Sequence, residues 1–179
     1  MSKLAVIFPG MGYHADKPLL YYAAKLAESS GYQIVKITYP PRESLNSEQM
    51  RPFAEDCVRC AKDTLAGIDL SAQDDILFIS KSIGTVVATA FAASHEVQAR
   101  HILFTPLLET FIHATDSCGI AFSGTKDQYA DHERIKALCE QHNIPLTAVP
   151  GGNHSLETGD VLHDLQTMQN VMQAVKAYI

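Results

Sequence analysis

Short apolar runs alternate with amphipathic stretches along the whole chain, and this alternation constrains the fold more than any other feature of the sequence. The apolar runs are continuous, which is typical of strands that helices cover on both faces. Strands that alternate with helices form a parallel sheet with right-handed crossovers. We therefore expect an α/β fold, a three-layer sandwich around a mostly parallel six-stranded sheet. The predicted strands are Leu4–Phe8, Gln33–Thr38, Asp75–Ile79, His101–Thr105, Gly119–Ser123 and Leu146–Val149.

The stretches between these runs have the residue spacing of amphipathic helices. Asp16 is the expected N-cap of the first helix, with Pro18 in its first turn, and Ser47 is the expected N-cap of the second. The stretch Ile83–Ala93 is apolar almost all round, so its helix should be the most buried. Asp160 should open the last helix. The inner face of that helix is predicted to carry Leu162, Leu165, Met168, Met172, Val175 and Ile179.

Composition and charge argue against several classes of protein. The chain has 179 residues, of which 46% are hydrophobic and 19% charged, so we expect one globular domain over residues 1–179. The net charge of −6 argues against nucleic acid or an anionic membrane as a partner, because both are bound mainly through Lys and Arg. The N-terminal apolar run, Leu4–Phe8, is too short for a signal-peptide core and far too short for a membrane span, and four cysteines are too few for a disulfide scaffold. These features predict a cytoplasmic protein with reduced thiols.

A serine follows the third predicted strand, in the sequence Ser80-Lys81-Ser82-Ile83-Gly84. The buried helix begins directly after it, so Ser82 should stand at the apex of a tight strand–turn–helix. A serine nucleophile needs such a turn, because the turn projects the hydroxyl above the sheet. Gly84 lets strand and helix approach closely, and the helix N-terminus favours negative charge that develops nearby. Ser82 is therefore the candidate nucleophile.

An acid and a histidine follow the fifth and sixth predicted strands. Asp127 comes shortly after the fifth strand, and His154 shortly after the sixth. Because the carboxyl ends of parallel strands share one edge of the sheet, both side chains should meet Ser82 there. We predict that His154 takes the proton from Ser82 and that Asp127 orients the imidazole. Asp131, which also suits a helix N-cap, and Asp116 are the alternative acids, and an acid on another strand is also possible.

Acyl transfer on such a triad needs two N–H donors for the oxyanion. The loop at residues 8–12, directly after the first predicted strand, contains two glycines that let backbone N–H groups turn toward a ligand. We assign the two donors to the backbone N–H groups of Met11 and Ile83. Loss of one such donor typically costs about 100- to 1,000-fold in rate.

The chain resembles the α/β-hydrolase superfamily over essentially its whole length. The serine turn 80–84, the acid segment 124–128 and the histidine segment 151–155 each resemble segments of that family, in its order of nucleophile, acid and histidine. The chain is most similar to the small acyl hydrolases without a lid, near the dienelactone-hydrolase-like group. The resemblance implies the sheet order 2-1-3-4-5-6, and the stretch from 106 to 117 is too short for a cap domain. It also implies that a small-molecule acyl substrate, an ester or thioester, is hydrolysed through an acyl-enzyme without a metal or organic cofactor.

Two residues depart from the pattern of the superfamily. Ser80 stands where the G-x-S-x-G motif has its first glycine, and Pro9 stands where a histidine often precedes the glycine of the oxyanion loop. Dienelactone hydrolases use a cysteine nucleophile, so Ser82 argues against that particular activity. The same triad would also serve a peptidase, a thioesterase or an acyltransferase. A non-catalytic binding module is the alternative outside enzymes.

Residues 10–15 also match a dinucleotide-binding fingerprint, G-x-G-x-x-A, after the first predicted strand. That motif needs an acid at the end of the second strand to bind the ribose hydroxyl. The chain has Thr-Tyr-Pro-Pro at 38–41 and no acid there. The sequence therefore disfavours a bound cofactor.

Four residues are candidates for substrate binding, and each also has a structural interpretation. Gly10 and His14 can line a pocket from the oxyanion loop, although a solvated loop histidine is about equally consistent with the sequence. Leu107 and Phe111 have the spacing of core residues, but they follow a strand at the active edge, where a pocket is expected. Lys81, beside the candidate nucleophile, is interpreted as a solvated charge.

Cys57 and Cys60 form a C-x-x-C pair within a predicted helix. This spacing suggests redox chemistry or a zinc site, but no second pair follows. Both thiols fall on the apolar face of the helix, which favours core packing.

Overall fold

The computed structural model describes residues 1–41 and 47–179, and helices pack against both faces of one sheet. The strand order is β2-β1-β3-β4-β5-β6, numbered along the chain, and every neighbouring pair is parallel. The predicted α/β fold and the sheet order implied by the resemblance are both confirmed. The strands and helices are β1 (Lys3–Phe8), α1 (Pro18–Ser29), β2 (Gln33–Lys36), α2 (Ser47–Leu65), β3 (Asp75–Lys81), α3 (Ile83–Ser94), β4 (Arg100–Phe104), β5 (Gly119–Gly124), α4 (His132–Gln141), β6 (Leu146–Val149) and α5 (Val161–Tyr178).

The sheet separates two apolar layers, because successive side chains of a strand point to opposite faces. In β3, Ile76 and Phe78 belong to the layer that contains α2, α3 and α4, whereas Leu77 and Ile79 belong to the layer that contains α1 and α5. All four side chains are buried. The strand that leads to the candidate nucleophile is thus enclosed on both faces, as its continuous apolar sequence predicts.

The second strand is shorter than predicted and ends at Lys36 rather than Thr38. It lies at the edge of the sheet and pairs with β1 alone. The N–H of Ile37 still donates to the carbonyl oxygen of Ile7 at 3.0 Å, but Pro40 and Pro41 soon follow. Proline has no N–H to donate to a neighbouring strand, so the pairing stops early.

The predicted N-cap of the first helix is wrong. The residue before α1 is Lys17, whose side chain forms no capping hydrogen bond, and Asp16 lies one residue too early to cap it. Pro18 occupies the first helical position and holds the preceding residue in an extended conformation. Asp16 instead pairs with Lys36 of β2, with 2.6 Å between Oδ1 and Nζ. The side chain of Ser47, the predicted cap of α2, lies outside what the structure describes.

The predicted inner face of the last helix is wrong over its first two turns. Asp160 caps α5 as expected, but Leu162 and Leu165 are 79% and 62% exposed. Val171 and Val175, further along, are buried against the layer that contains α1. The apolar spacing therefore identifies the face correctly only where the helix lies over the core.

The connection between β4 and β5 contains only the short 3₁₀ helix Leu108–Ile112, and no lid is present among the described residues. The carboxyl edge of the sheet is therefore not covered by an inserted helical domain in the part of the chain that is described. Of the helices described, none combines the length and the apolar character needed to cross a bilayer.

Candidate active site

Ser82 lies on a strained turn between β3 and α3. Its dihedral angles are φ 56° and ψ −126°, and a positive φ is uncommon for any residue other than glycine. Two main-chain hydrogen bonds hold the turn. The N–H of Ser82 donates to the carbonyl oxygen of Phe104 at 3.0 Å, and the N–H of Thr85 donates to that of Ser82 at 2.8 Å. Ser82 therefore stands at the carboxyl edge of the sheet, directly before the N-terminus of α3.

Small residues beside Ser82 let this turn form. A Cβ atom at Gly84 would overlap the carbonyl oxygen of Phe8, so only glycine fits where α3 begins against β1. Ser80 is fully buried, and its Oγ donates to the carbonyl oxygen of Ile102 at 3.1 Å. A serine at position 80 is thus small enough and hydrogen-bonded, so this departure from the superfamily pattern leaves the turn intact.

The structure brings Ser82, Asp127 and His154 together. The last two lie in loops after β5 and β6, here named the acid loop (residues 125–131) and the histidine loop (residues 150–160). His154 Nε2 lies 2.7 Å from Ser82 Oγ, and His154 Nδ1 lies 2.7 Å from Asp127 Oδ2. Both are hydrogen-bond distances, so one imidazole contacts the serine and the acid at once. These distances are the ones that a nucleophile, a base and an orienting acid would require.

Main-chain contacts join the acid loop to the histidine loop. The N–H of Lys126 donates to the carbonyl oxygen of Gly152 at 2.9 Å. A Cβ atom at Gly124 would overlap the same carbonyl oxygen, so the two loops approach more closely than a side chain at position 124 permits. These main-chain contacts hold the two loops close together, whatever the side chains of Asp127 and His154 contribute to the contact between the loops.

Burial and hydrogen bonds set the protonation states of the acid and the base. Burial lowers the pKa of His154; the hydrogen bond with Asp127 opposes this, and the nearby charge of Lys81 reinforces it. Burial acts to raise the pKa of Asp127, but hydrogen bonds from His154 and from the N–H of Tyr129 outweigh it, so this pKa lies below its usual value. A neutral imidazole beside a charged carboxylate is the form that a general base requires.

The two alternative acids lie elsewhere. Asp131 caps α4, where its Oδ1 accepts from the N–H of Arg134 at 2.9 Å. Asp116 lies with its Oδ1 3.5 Å from Nδ1 of His142. Of the three candidate acids, Asp127 alone forms a contact with the triad imidazole in the described part of the chain.

The loop after β1 lies against the serine turn. A Cβ atom at Gly10 would lie 3.3 Å from the Cβ of Ser82 and 3.3 Å from the carbonyl oxygen of Lys81. Within the described residues, the N–H groups of Met11 and Ile83 donate to no other protein group. Ile83 opens α3, where the first N–H groups have no partner inside the helix. Both N–H groups are available as donors, and their role in binding an oxyanion stays a prediction.

A cavity of about 420 Å³ adjoins the loop after β1. Gly10, Met11 and His14 line one side of it, and Tyr39 and Phe53 line the other. Two of the predicted substrate-binding residues, Gly10 and His14, therefore line this cavity, whereas Ser82, Asp127 and His154 do not. Their contact with a substrate stays a prediction.

Leu107 and Phe111 lie instead in the apolar layer with α2 and α3. Both are buried, and the Phe111 ring packs 5.9 Å from the ring of His142. Neither lines the cavity beside the loop after β1. Their burial matches the core-packing interpretation, and a role in substrate binding stays untested. Cys57 is likewise buried in this layer.

The interpretation of Lys81 as a solvated charge is wrong, because this side chain is only 1% exposed. Its Nζ lies 4.7 Å from the centroid of the Tyr13 ring. Lys81 is the last residue of β3, and alternation places it on the same face as Leu77 and Ile79. The predicted strand ended at Ile79, two residues too early, and so left Lys81 outside the buried strand.

Tyr129 lies near His154 and is a residue that the sequence analysis did not identify. It lies in the acid loop, its ring centroid is 4.9 Å from that of His154, and it is largely exposed. A single aromatic residue in an irregular loop has no periodic neighbours, so nothing in the sequence marks it. Tyr129 packs its ring against the imidazole of His154 while remaining largely in solvent.

Comparisons with known proteins are consistent with this geometry. A family model described as an alpha/beta hydrolase domain matches residues 2–179. A comparison with curated protein sequences gives no significant match. Solved structures give many matches, and three of them illustrate the likeness.

The first is an alpha-beta serine hydrolase homologue from Coxiella burnetii, with 17% identity and a TM-score of 0.68 over 97% of this chain and 84% of that one. A serine hydrolase without a lid from Xanthomonas campestris has 16% identity and a TM-score of 0.68, covering 97% of this chain and 83% of its own. Est1E from Butyrivibrio proteoclasticus, with ferulic acid bound, has 14% identity and a TM-score of 0.68, with 98% and 87% covered. At these identities the structural likeness shows the fold alone. The match to the family model spans nearly the whole sequence, and the chain therefore belongs to the alpha/beta hydrolase domain family.

Proposed function

We propose that this chain is a serine hydrolase that cleaves a small ester or thioester through an acyl-enzyme on Ser82. The observation that carries the proposal is the unbroken hydrogen-bonded path from Asp127 through His154 to Ser82, with 2.7 Å at each step. The strained turn supports it, because such strain concentrates at functional sites. The reaction uses no metal or organic cofactor, and the cytoplasmic location expected from the sequence belongs to the same proposal.

In the first half of the reaction, Ser82 Oγ attacks the substrate carbonyl carbon and passes its proton to Nε2 of His154. Asp127 holds the imidazole in the correct tautomer and stabilises the charge that it gains. The N–H groups of Met11 and Ile83 donate to the oxyanion. The bond from carbon to the leaving group then breaks, and the leaving alkoxide or thiolate takes the proton from His154. An acyl-enzyme on Ser82 remains.

In the second half, water attacks the acyl carbon and gives a proton to Nε2 of His154. The bond between the acyl carbon and Ser82 Oγ breaks, and the proton returns to that oxygen. The acid is released and the enzyme is restored. Each half therefore uses the same imidazole first as a base and then as an acid.

The surroundings of Ser82 favour a compact or exposed substrate. The described residues contain no lid, and the cavity beside Gly10 holds about 420 Å³, which suits a small acyl or leaving group better than a long lipid chain. A substrate panel should therefore begin with short-chain esters and thioesters. Because Est1E binds ferulic acid on a similar fold, a ferulate ester belongs in the same panel.

A fluorophosphonate probe tests the proposal without knowledge of the natural substrate. The probe should phosphonylate Ser82, the adduct should be found on the peptide that carries it, and Ser82→Ala should abolish labelling. Ser155→Ala is the matched control, since it removes a serine beside His154 and should leave labelling intact. A folded protein that is not labelled would overturn the proposal in favour of a binding module. Labelling without turnover of esters would direct the panel to peptides and acyl acceptors.

A further inference from the structure

His154 occupies the second position of a tight turn, here named the histidine turn (residues 153–156). The N–H of Leu156 donates to the carbonyl oxygen of Asn153 at 2.9 Å, which closes the turn around His154 and Ser155. Asparagine is favoured at the first position of such a turn, because its side chain can accept from backbone N–H groups further along the chain. The residue directly before the candidate base is therefore suited to fix the backbone of that base.

Asn153 encloses His154 with hydrogen bonds from both its side chain and its main chain. Its Oδ1 accepts from the N–H of Ser155 at 2.7 Å and from the N–H of Glu157 at 3.1 Å. Its own N–H donates to the carbonyl oxygen of Glu157 at 2.9 Å. The Asn153 side chain is exposed, so its replacement removes the two bonds of Oδ1 without opening a cavity in the core.

Leu156 anchors the histidine turn to the core. Its φ is 62°, which is strained for a bulky residue, and its side chain is only 3% exposed in the layer that contains α1 and α5. Burial of this apolar side chain offsets the cost of the strained backbone. On the same turn, the imidazole of His154 reaches Ser82 Oγ at 2.7 Å. A shift of the turn would therefore move the imidazole relative to the serine.

We propose that Asn153 is a positioning residue for the general base, because its side chain holds the histidine turn that directs His154 toward Ser82 and Asp127. This inference rests on the proposed function of the triad. Asn153 acts through the backbone of His154, since the bonds of Oδ1 go to main-chain N–H groups. Small displacements of a catalytic group are costly, and a misplacement of about 1 Å can lower the rate about 100-fold.

Asp164 provides a matched control, because it binds the same loop at a point beyond the histidine turn. Its Oδ1 accepts from the N–H and from the Oγ1 of Thr158, each at 2.7 Å, and its Oδ2 accepts from the N–H of Gly159 at 3.1 Å. Asn153→Ala and Asp164→Ala thus each remove side-chain hydrogen bonds from the histidine loop. Both variants should lower Tm by about 2–4 °C. Only Asn153→Ala should disturb His154.

The rate of fluorophosphonate labelling tests the inference. At about pH 8, where the imidazole is neutral, we expect Asn153→Ala to be labelled about 100-fold more slowly than the unmutated protein. Asp164→Ala should be labelled at a rate within about threefold of the unmutated protein. Asn153→Asp should restore fast labelling, because a carboxylate oxygen accepts from the same two N–H groups. Equal labelling rates in the unmutated protein and a folded Asn153→Ala protein would overturn the inference.

NMR of the His154 ring gives a readout that needs neither probe nor substrate. The nitrogen signals, assigned by their loss in His154→Ala, report which ring nitrogen carries the proton. In the unmutated protein and in Asp164→Ala, Nδ1 should carry it and donate to Asp127 Oδ2. In Asn153→Ala the ring should populate both tautomers. A merely structural role for Asn153 would leave the tautomer unchanged.

The two readouts separate failure of this inference from failure of the hydrolase proposal. An unmutated protein that is not labelled would overturn the hydrolase proposal, and the NMR comparison would then decide the role of Asn153. If Asn153→Ala does not fold, Asn153→Ser replaces it, because a serine hydroxyl binds backbone N–H groups more weakly. Labelling of Asn153→Ser should be slower than that of the unmutated protein, and an equal rate would contradict the inference.

Discussion

Two serine–histidine pairs with the same spacing lie toward the carboxyl edge of the sheet. Ser82 Oγ lies 2.7 Å from Nε2 of His154, and Ser123 Oγ lies 2.7 Å from Nδ1 of His132. The first serine stands on a turn with positive φ, whereas Ser123 is buried within β5. An acid supports only the first histidine among the described residues, where Asp127 contacts it.

The comparison teaches that a short serine–histidine distance does not make a nucleophile. The turn presents one hydroxyl at the edge of the sheet, and the acid orients its histidine. The other hydroxyl is enclosed in a strand, and its hydrogen bond reaches His132, the first residue of α4. On the proposed mechanism, a nucleophile requires the strained turn and the orienting acid as well as a short distance to a histidine.

The largest expected effect comes from the two serines. Ser82→Ala should lower turnover by about a million-fold, because it removes the nucleophile. Ser123→Ala should leave turnover nearly unchanged, since that hydroxyl has no route to a substrate. Steady-state kinetics on the best substrate of the panel compares them. A similar loss in a folded Ser123→Ala protein would remove the distinction between the two pairs.

The acid gives the next largest effect. Asp127→Asn should lower turnover by about 10,000-fold, because the amide no longer holds the imidazole in the required tautomer. Asp131→Asn is the matched control, since asparagine also caps helices and α4 should remain intact. The same kinetic assay decides between them. Full activity in Asp127→Asn combined with loss of activity in Asp131→Asn would show that Asp131, and not Asp127, is the acid that orients His154.

The pH dependence of kcat/KM sharpens the comparison at the base. The pKa of His154 is lowered by its burial, so the neutral form persists below the usual range of histidine. Activity should therefore be retained at pH 6.5 and fall about tenfold per pH unit below the pKa, as the imidazole takes up a proton. A fall that begins well above pH 7 would show that the interaction with Asp127 outweighs the burial of the imidazole and raises the pKa of His154.

The smallest effect is expected from the turn itself. Ser80→Ala removes the hydrogen bond from Ser80 Oγ to the carbonyl oxygen of Ile102 and should lower the free energy of unfolding by about 1 kcal/mol. Turnover should change little, because alanine is as easily accommodated in the turn. Chemical denaturation measures the first quantity and kinetics the second. A large loss of activity at unchanged stability would show that Ser80 contributes to the geometry of Ser82.

Much of the fold and of the candidate site was predictable from sequence, because both depend on residue order. Continuous apolar runs identified the strands, and the residues that follow strands necessarily share one edge of a parallel sheet. Ser82, Asp127 and His154 could be grouped for that reason alone. The choice of Asp127 over Asp131 also followed from distance along the chain.

The errors arose where partners lie far away in sequence. Leu162 and Leu165 continue the apolar spacing of α5, but spacing does not reveal where the underlying layer ends. Lys81 is a hydrophilic residue, but it is buried because its strand extends two residues further than the apolar run. Asp16 suits a cap, but its partner Lys36 lies on another element. None of these contacts can be derived from local pattern.

The close approach of Gly124 to Gly152 has a consequence for how this site can change during evolution. Main-chain atoms join the two loops, and the Thr125 hydroxyl, which accepts from the N–H of Gly151 at 2.8 Å, adds a further contact, so the spacing of Asp127 and His154 does not require the exposed side chains of Lys126 and Tyr129. Substitutions at exposed loop positions such as Lys126 and Tyr129 can then alter which molecules are accepted while the chemistry is preserved. A scaffold of this kind permits substrate preference to diversify without loss of the reaction.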